Sequence, residues 1–278
     1  MSGFLKELAR SSLERLSQAR AVEPEKSLWH RASDAAHAPP LKLNPAGFDV
    51  IAELKLRSPA KGVLRAATED IAARVTSYAQ GGAAAVSVLT EPYHFDGSMA
   101  HLARASETLA PLGVPTMRKD FIIEPYQVME ARALGAGGVL VILRMLDHGR
   151  ITELLDCAAM LKMFVLLEGF DEGDLVCARQ LVSERAGRVE TVLVGVNSRD
   201  LDTLQVVPET LEALAPKLPN EAPRVAESGV ATPEDAARLA RVGYQVVLVG
   251  AALMTDDHPE TLVSRMLSAG RAARAPAA

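Results

Sequence analysis

Residues 163–197 read MFVLLEGFDEGDLVCARQLVSERAGRVETVLVGVN. A short apolar, β-branched run ends at a carboxylate, a charged stretch of helical character follows, and a second apolar run ends at Asn197. Near-continuous apolarity is the mark of a strand buried on both faces, as in a parallel sheet covered by helices. The same unit recurs along the chain. Further runs are DVIAEL (Asp49 to Leu54), AAAVSVL (Ala83 to Leu89), PTMRK (Pro115 to Lys119), GGVLVIL (Gly137 to Leu143), RVAES (Arg224 to Ser228) and VVLVG (Val246 to Gly250), which with MFVLLE and TVLVGV make eight. Their spacing suits a strand plus a crossover helix. Eight units in succession predict an α/β fold with one closed (βα)8 TIM barrel over residues 49–268. An open doubly wound sheet is the competing arrangement, but no GxGxxG follows the first strand.

Local signals agree with this reading. Helix starts are expected at Thr68 before Glu69 and Asp70, at Pro125 after Glu124, and at Thr232-Pro233-Glu234-Asp235. Gly81, Gly135 and Gly243 are expected as left-handed C-caps. Residues 1–48 stand apart as an N-terminal helical extension, with an amphipathic helix over Gly3 to Arg20 carrying Leu5, Leu8, Leu13 and Leu16, then a connector through Pro39-Pro40. Covering the barrel bottom and covering the substrate at the top are both open to it. Residues 269–278 are expected to be a flexible tail.

Composition narrows the function. With 278 residues, a net charge of −5 and 4% aromatics, the chain offers no basic stripe or stacking platform for nucleic acid. No apolar run reaches membrane-spanning length, and no signal peptide opens the chain, so a cytoplasmic protein is expected. Cys157 and Cys177 fall in helical runs without metal-ligand spacing, so neither a metal site nor a disulfide framework is expected.

In a barrel of this kind chemistry collects at the carboxyl ends of the strands. Those ends carry Glu53 and Lys55, then Arg118-Lys119-Asp120, Glu168, Asn197-Ser198-Arg199-Asp200, and Glu227-Ser228-Gly229. Glu53 and Lys55 share a face of their strand. Singly, such charges have structural explanations: Glu53 with Lys55 as an ion pair, Arg118 or Arg199 as helix caps. Jointly, two Lys and three Glu around one mouth cost several kcal/mol per ion, which points to catalysis. The small residues Ser228-Gly229-Val230 and Gly250-Ala251-Ala252 follow the last two strands, where such barrels expose main-chain amides to phosphate, and Ser58 is a third contributor.

The runs IAELKLRSPAKG (Ile51 to Gly62), VLTEPYHFDGS (Val88 to Ser98), RKDFIIEPYQVMEARALGA (Arg118 to Ala136), LLEGFDEGDL (Leu166 to Leu175), GVNSRDL (Gly195 to Leu201), VAESGV (Val225 to Val230) and LVGAALM (Leu248 to Met254) together resemble the indole-3-glycerol-phosphate synthase family of tryptophan biosynthesis. The resemblance implies closure of 1-(2-carboxyphenylamino)-1-deoxyribulose 5-phosphate to indole-3-glycerol phosphate, with loss of carbon dioxide and water and without a cofactor. It assigns Lys119 as general acid and Glu168 as base, with Lys55 on the phosphate side or sharing proton duty. Glu53 and Asn197 position the reacting hydroxyl and carbonyl, and Glu227 and Ser228 line the opposite wall. Arg199 orients Glu227 or meets the substrate carboxylate, Phe95 and Phe121 contact the aryl ring, and Ser58, Gly229, Gly250 and Ala251 take the phosphate. The loop Arg57 to Ala67 is expected to act as a lid.

Three departures from the family pattern involve four positions. Leu56 replaces a basic residue, Gly169-Phe170 replaces a β-branched and a polar residue, and Ala251 replaces Ser or Glu. Gly169 is expected to loosen the fifth strand, and Ala251 to remove a hydroxyl contact to phosphate. A paralogue closing a related arylamino sugar phosphate is the rival enzyme reading. A neighbouring isomerase chemistry needs a Cys/Asp pair at strand ends, which the helical cysteines do not supply. An inactive binding module is the third reading, although Lys119, Glu168 and Asn197 are all retained. The expected partner is a small phosphorylated molecule, with no nucleic acid or membrane, and the expected assembly is a monomer or weak homodimer.

Overall fold

The computed structural model describes residues 3–45, 47–188, 190–200 and 203–274. Leu201 and the expected tail residues 275–278 lie outside the described residues.

Eight parallel strands form the barrel: β1 (Asp49–Leu54), β2 (Ala85–Leu89), β3 (Thr116–Lys119), β4 (Gly138–Ile142), β5 (Phe164–Gly169), β6 (Val192–Asn197), β7 (Arg224–Glu227) and β8 (Val246–Val249). Their order is β1-β8-β7-β6-β5-β4-β3-β2, and β1 pairs with both β8 and β2, so the sheet closes. The open-sheet alternative is thereby eliminated. Six of the expected runs contain their strand, and β5 and β6 extend one residue past theirs, to Gly169 and Asn197, because long apolar β-branched segments have no other way to bury both faces.

Two apolar layers follow from the alternation of side chains. Inward residues such as Ile51, Met117, Leu140, Leu166, Leu193 and Val225 fill the lumen, while Val50, Val86, Val139, Leu167 and Val247 pack outward under the helices. The lumen is therefore a solid floor, and the polar strand ends stand above it.

Local corrections have local causes. Asp70, not Thr68, caps the Ile71–Gln80 helix by accepting from Ala73 N. The helices after Glu124 and Thr232 start where expected, and each of these residues forms a capping box. Gly135 and Gly243 have φ of +86° and +104°, but Gly81 is right-handed and Gly82 takes the left-handed position at +94°. Gly81 is required for space instead, since a Cβ there would lie 2.6 Å from Glu260 O. The last helix, Pro259–Arg274, runs past the expected boundary at 268, because Arg271 and Arg274 donate to Phe48 O and Tyr244 O.

The extension holds two helices, α1 (Gly3–Val22) and α2 (Glu25–Asp34), where the sequence reading has one helix and a connector. Leu5, Leu8 and Leu16 are buried, but Leu13 is 54% exposed. Ser12 occupies the buried stripe in its place, donating to Phe121 O at 2.5 Å and accepting from Gln127. These contacts place α1 at the carboxyl end of β3, over the top of the barrel.

Candidate active site

A cavity of about 320 Å³ opens at the carboxyl ends of the strands. All fourteen predicted site residues line it: Glu53, Lys55, Ser58, Phe95, Lys119, Phe121, Glu168, Asn197, Arg199, Glu227, Ser228, Gly229, Gly250 and Ala251. Register explains the convergence. Glu168 stands opposite Gly195, and Asn197 opposite Glu227, so their side chains project from neighbouring strands into one mouth.

The charged centre is a chain of contacts. Lys119 Nζ donates to Glu168 Oε2 at 2.9 Å and lies 3.6 Å from Glu227 Oε2, while Lys55 pairs with Glu53. Burial opposes the charge of Lys119, but Glu168, Glu227 and Glu53 outweigh it and hold its pKa above the ordinary lysine value. Burial likewise opposes the Glu53 carboxylate, and Lys55, Lys119 and Arg199 overcome it and hold its pKa below the usual value. Glu227 goes the other way: burial and the neighbouring Glu168 carboxylate push it well above the usual range. One site thus holds a committed ammonium, a committed carboxylate and a carboxyl that favours its proton.

Glycines make room for these groups. A Cβ at Gly195 would clash with Glu227 Oε1, and one at Gly250 with Glu53 Oε2. Gly195 was not among the predicted residues. Its signal lies in the alternation Leu193, Gly195, Asn197, which leaves a gap on the inward face of β6.

On the β7 side, Ser228 adopts φ +68°, a left-handed conformation that costs a non-glycine residue about 1–3 kcal/mol. Its Oγ donates to Asn197 Oδ1 at 2.8 Å, which also accepts from Arg199 N. Asn197 therefore has its carbonyl committed, leaving Nδ2 for a ligand. Gly250 caps the short Ala251–Thr255 helix at the end of β8.

Several expectations need correction. Arg199 Nη1 donates to Leu204 O at 2.7 Å, rather than to Glu227. Arg118 points outward into the β3–helix layer, where it meets Gln127 O, Glu130 and Asp120. Gly169 does not loosen β5, which continues through it in register with Val196. Leu56 is buried in the outer apolar layer and does not line the cavity. The cavity also takes Phe4 and Leu5 from α1, which puts the extension at the top of the barrel and not the bottom, and Lys61 from the loop after β1. That loop is a hairpin pairing Arg57–Ser58 with Gly62–Val63.

Residues 5–266 match the family model described as indole-3-glycerol phosphate synthase. The chain belongs to the indole-3-glycerol phosphate synthase family. An indole-3-glycerol phosphate synthase of Nocardioides sp. is 47% identical over 80% of each chain. One of Koribacter versatilis is 37% identical over 96% of this chain and 98% of its own. Among solved structures, 3-hexulose-6-phosphate synthase from Salmonella typhimurium aligns with a TM-score of 0.61 at 13% identity, covering 80% of this chain and 98% of its own. Thiamine phosphate pyrophosphorylase from Pyrococcus furiosus aligns at 0.56 and 12% identity, covering 83% and 99%. At such identities these two speak for the barrel fold alone. No described helix is long and apolar enough to cross a membrane.

Proposed function

We propose that the chain acts as an indole-3-glycerol phosphate synthase, closing 1-(2-carboxyphenylamino)-1-deoxyribulose 5-phosphate to indole-3-glycerol phosphate with release of carbon dioxide and water. The observation that carries the assignment of roles is the direct Lys119–Glu168 contact inside a cavity lined by apolar side chains and by the small residues that follow β7 and β8.

Attack of the ring carbon bearing the carboxylate on the sugar carbonyl forms the carbon–carbon bond and puts negative charge on the carbonyl oxygen. Lys119 supplies the proton there, and the raised pKa keeps it charged at neutral pH. Loss of carbon dioxide restores the aromatic ring. Departure of the new hydroxyl as water needs a second proton and removal of one from the adjacent carbon. Glu168 takes the latter, and Lys55 or the reprotonated Lys119 gives the former. Asn197 and Glu53 hold the hydroxyl and carbonyl, and Glu227 with Ser228 bounds the opposite wall. Substrate must enter between Lys119 and Glu168, so their ion pair is a resting arrangement that binding opens.

Phosphate is assigned to Ser58, Gly229, Gly250 and Ala251, where main-chain amides follow β7 and β8. Arg199 is left to meet the substrate carboxylate, and the Arg57–Ala67 hairpin to close over the bound molecule. A monomer or weak homodimer in the cytoplasm completes the reading.

The test supplies this substrate and follows indole fluorescence. Lys119→Met and Glu168→Gln are each expected to lower kcat at least ~10²-fold, the scale of a lost proton-transfer group. Parent-like rates in both variants would refute the roles.

A further inference from the structure

Phe170 enters the cavity from the end of β5. In the ring of strands β5 stands across from β1, and β1, β7 and β8 carry the groups assigned to phosphate. Phe170 therefore faces the end of a bound molecule away from the phosphate groups; like Phe95 it packs against the inner apolar cluster that contains Phe121, and the Phe95 and Phe121 ring centroids lie 6.2 Å apart.

The ring is held by a bracket. The Arg144 guanidinium lies over it, 4.6 Å from the centroid. That guanidinium is itself fixed, donating to Asp174 Oδ2 at 2.6 and 2.9 Å and to Asp171 Oδ2 at 2.6 Å. Asp174 Oδ2 also accepts from Phe170 N at 2.8 Å, so one carboxylate sets both the backbone and the cation that stacks on the side chain. Gly169 permits the arrangement: a Cβ there would lie 2.9 Å from Asp174 Cβ. The glycine and the aromatic are thus one device, in which the first lets the Glu172–Glu184 helix approach and the second is clamped by it.

We propose that Phe170 is a specificity-determining residue that forms, with Phe121 and Phe95, an apolar wall for the aryl ring, and that Arg144 is its positioning residue. The assignment rests on the proposed function. A wall of three phenyl groups selects aryl rings with apolar edges and disfavours rings bearing hydroxyl groups, because a hydroxyl desolvated against phenyl carbons finds no partner.

The experiment measures kcat and KM for the carboxyphenylamino-deoxyribulose phosphate and for analogues with a methyl or a hydroxyl on the aryl ring. Phe170→Ser is expected to raise KM for the parent substrate about tenfold, the low end for losing apolar contact in a pocket, while kcat changes less than about threefold. Its kcat/KM should fall further for the methyl than for the hydroxyl analogue. Phe170→Leu keeps apolar volume without the flat ring; it should fold even if the serine variant does not, and should show an intermediate KM. Arg144→Met should raise KM in the parent background and leave it unchanged in the Phe170→Leu background, which a merely structural role would not do. A parent-like KM in both Phe170 variants, equal losses on the two analogues, or an Arg144→Met effect independent of Phe170 would overturn the proposal. A parent that fails to turn over the unsubstituted substrate would instead bring down the proposed function, and this assignment with it.

Discussion

Glu227 shows how a single residue is governed by its surroundings. Its side chain is 1% exposed and faces the Lys119 ammonium at 3.6 Å and the Glu168 carboxylate. Burial and Glu168 raise its pKa, so the folded state binds a proton more tightly than the unfolded chain does. The sign follows from linkage: the penalty is absent below the unfolded value of ~4.3 and grows as pH rises toward the elevated folded value. Glu227→Gln should therefore be more stable than the parent at pH 8 and equal to it near pH 4, as read from urea midpoints at both pH values. The same variant should lose activity, since the group lines the reacting cavity. Stability is thus spent on an arrangement that isolated folding would not choose.

Among elements, α1 couples the extension to the reacting face. Arg15 forms a bidentate pair with Asp120, both bonds at 2.8 Å, directly beside Lys119. Asp120 also accepts from Thr90, Arg118 and Phe121 N. Burial would raise the pKa of this carboxyl, but Arg118 and Arg15 hold it far below the usual range. Its contribution is complete above the unfolded value of ~3.9 and is lost as pH falls toward the depressed one. Arg15→Ala leaves a buried carboxylate short of one partner and is expected to cost about 1.5–3 kcal/mol in urea unfolding at pH 7. The cost should shrink as the medium is acidified through that window.

For the molecule as a whole, closure is the decisive event. Phe48, just before β1, packs its buried ring onto Gly270 of the last helix, and Arg271 of that helix bonds Phe48 O and Asp49. A Cβ at Gly270 would meet the ring at clashing distance. Gly270→Ala is expected to destabilise the protein by about 1–3 kcal/mol, measured by the urea midpoint, with kcat of the surviving fold near the parent value. The contact joins the two ends of the barrel and lies far from the strand ends where chemistry is placed.

The strands were legible because a run buried on both faces has to be apolar along its length, a property of residues 138–142 or 246–249 that needs no neighbour to be seen. The polar ends were legible for the same reason, since Lys119 and Glu168 interrupt that apolarity where a barrel exposes its mouth. Nothing in local order reveals which distant groups will share a space. That Gly195 clears room for Glu227, that Ser12 replaces Leu13 on the buried stripe, and that Arg144 stacks on Phe170 depend on contacts across 26 to 109 positions of chain. Helix periodicity records only that one face is turned inward, and the partner it meets is chosen when the ring of strands closes.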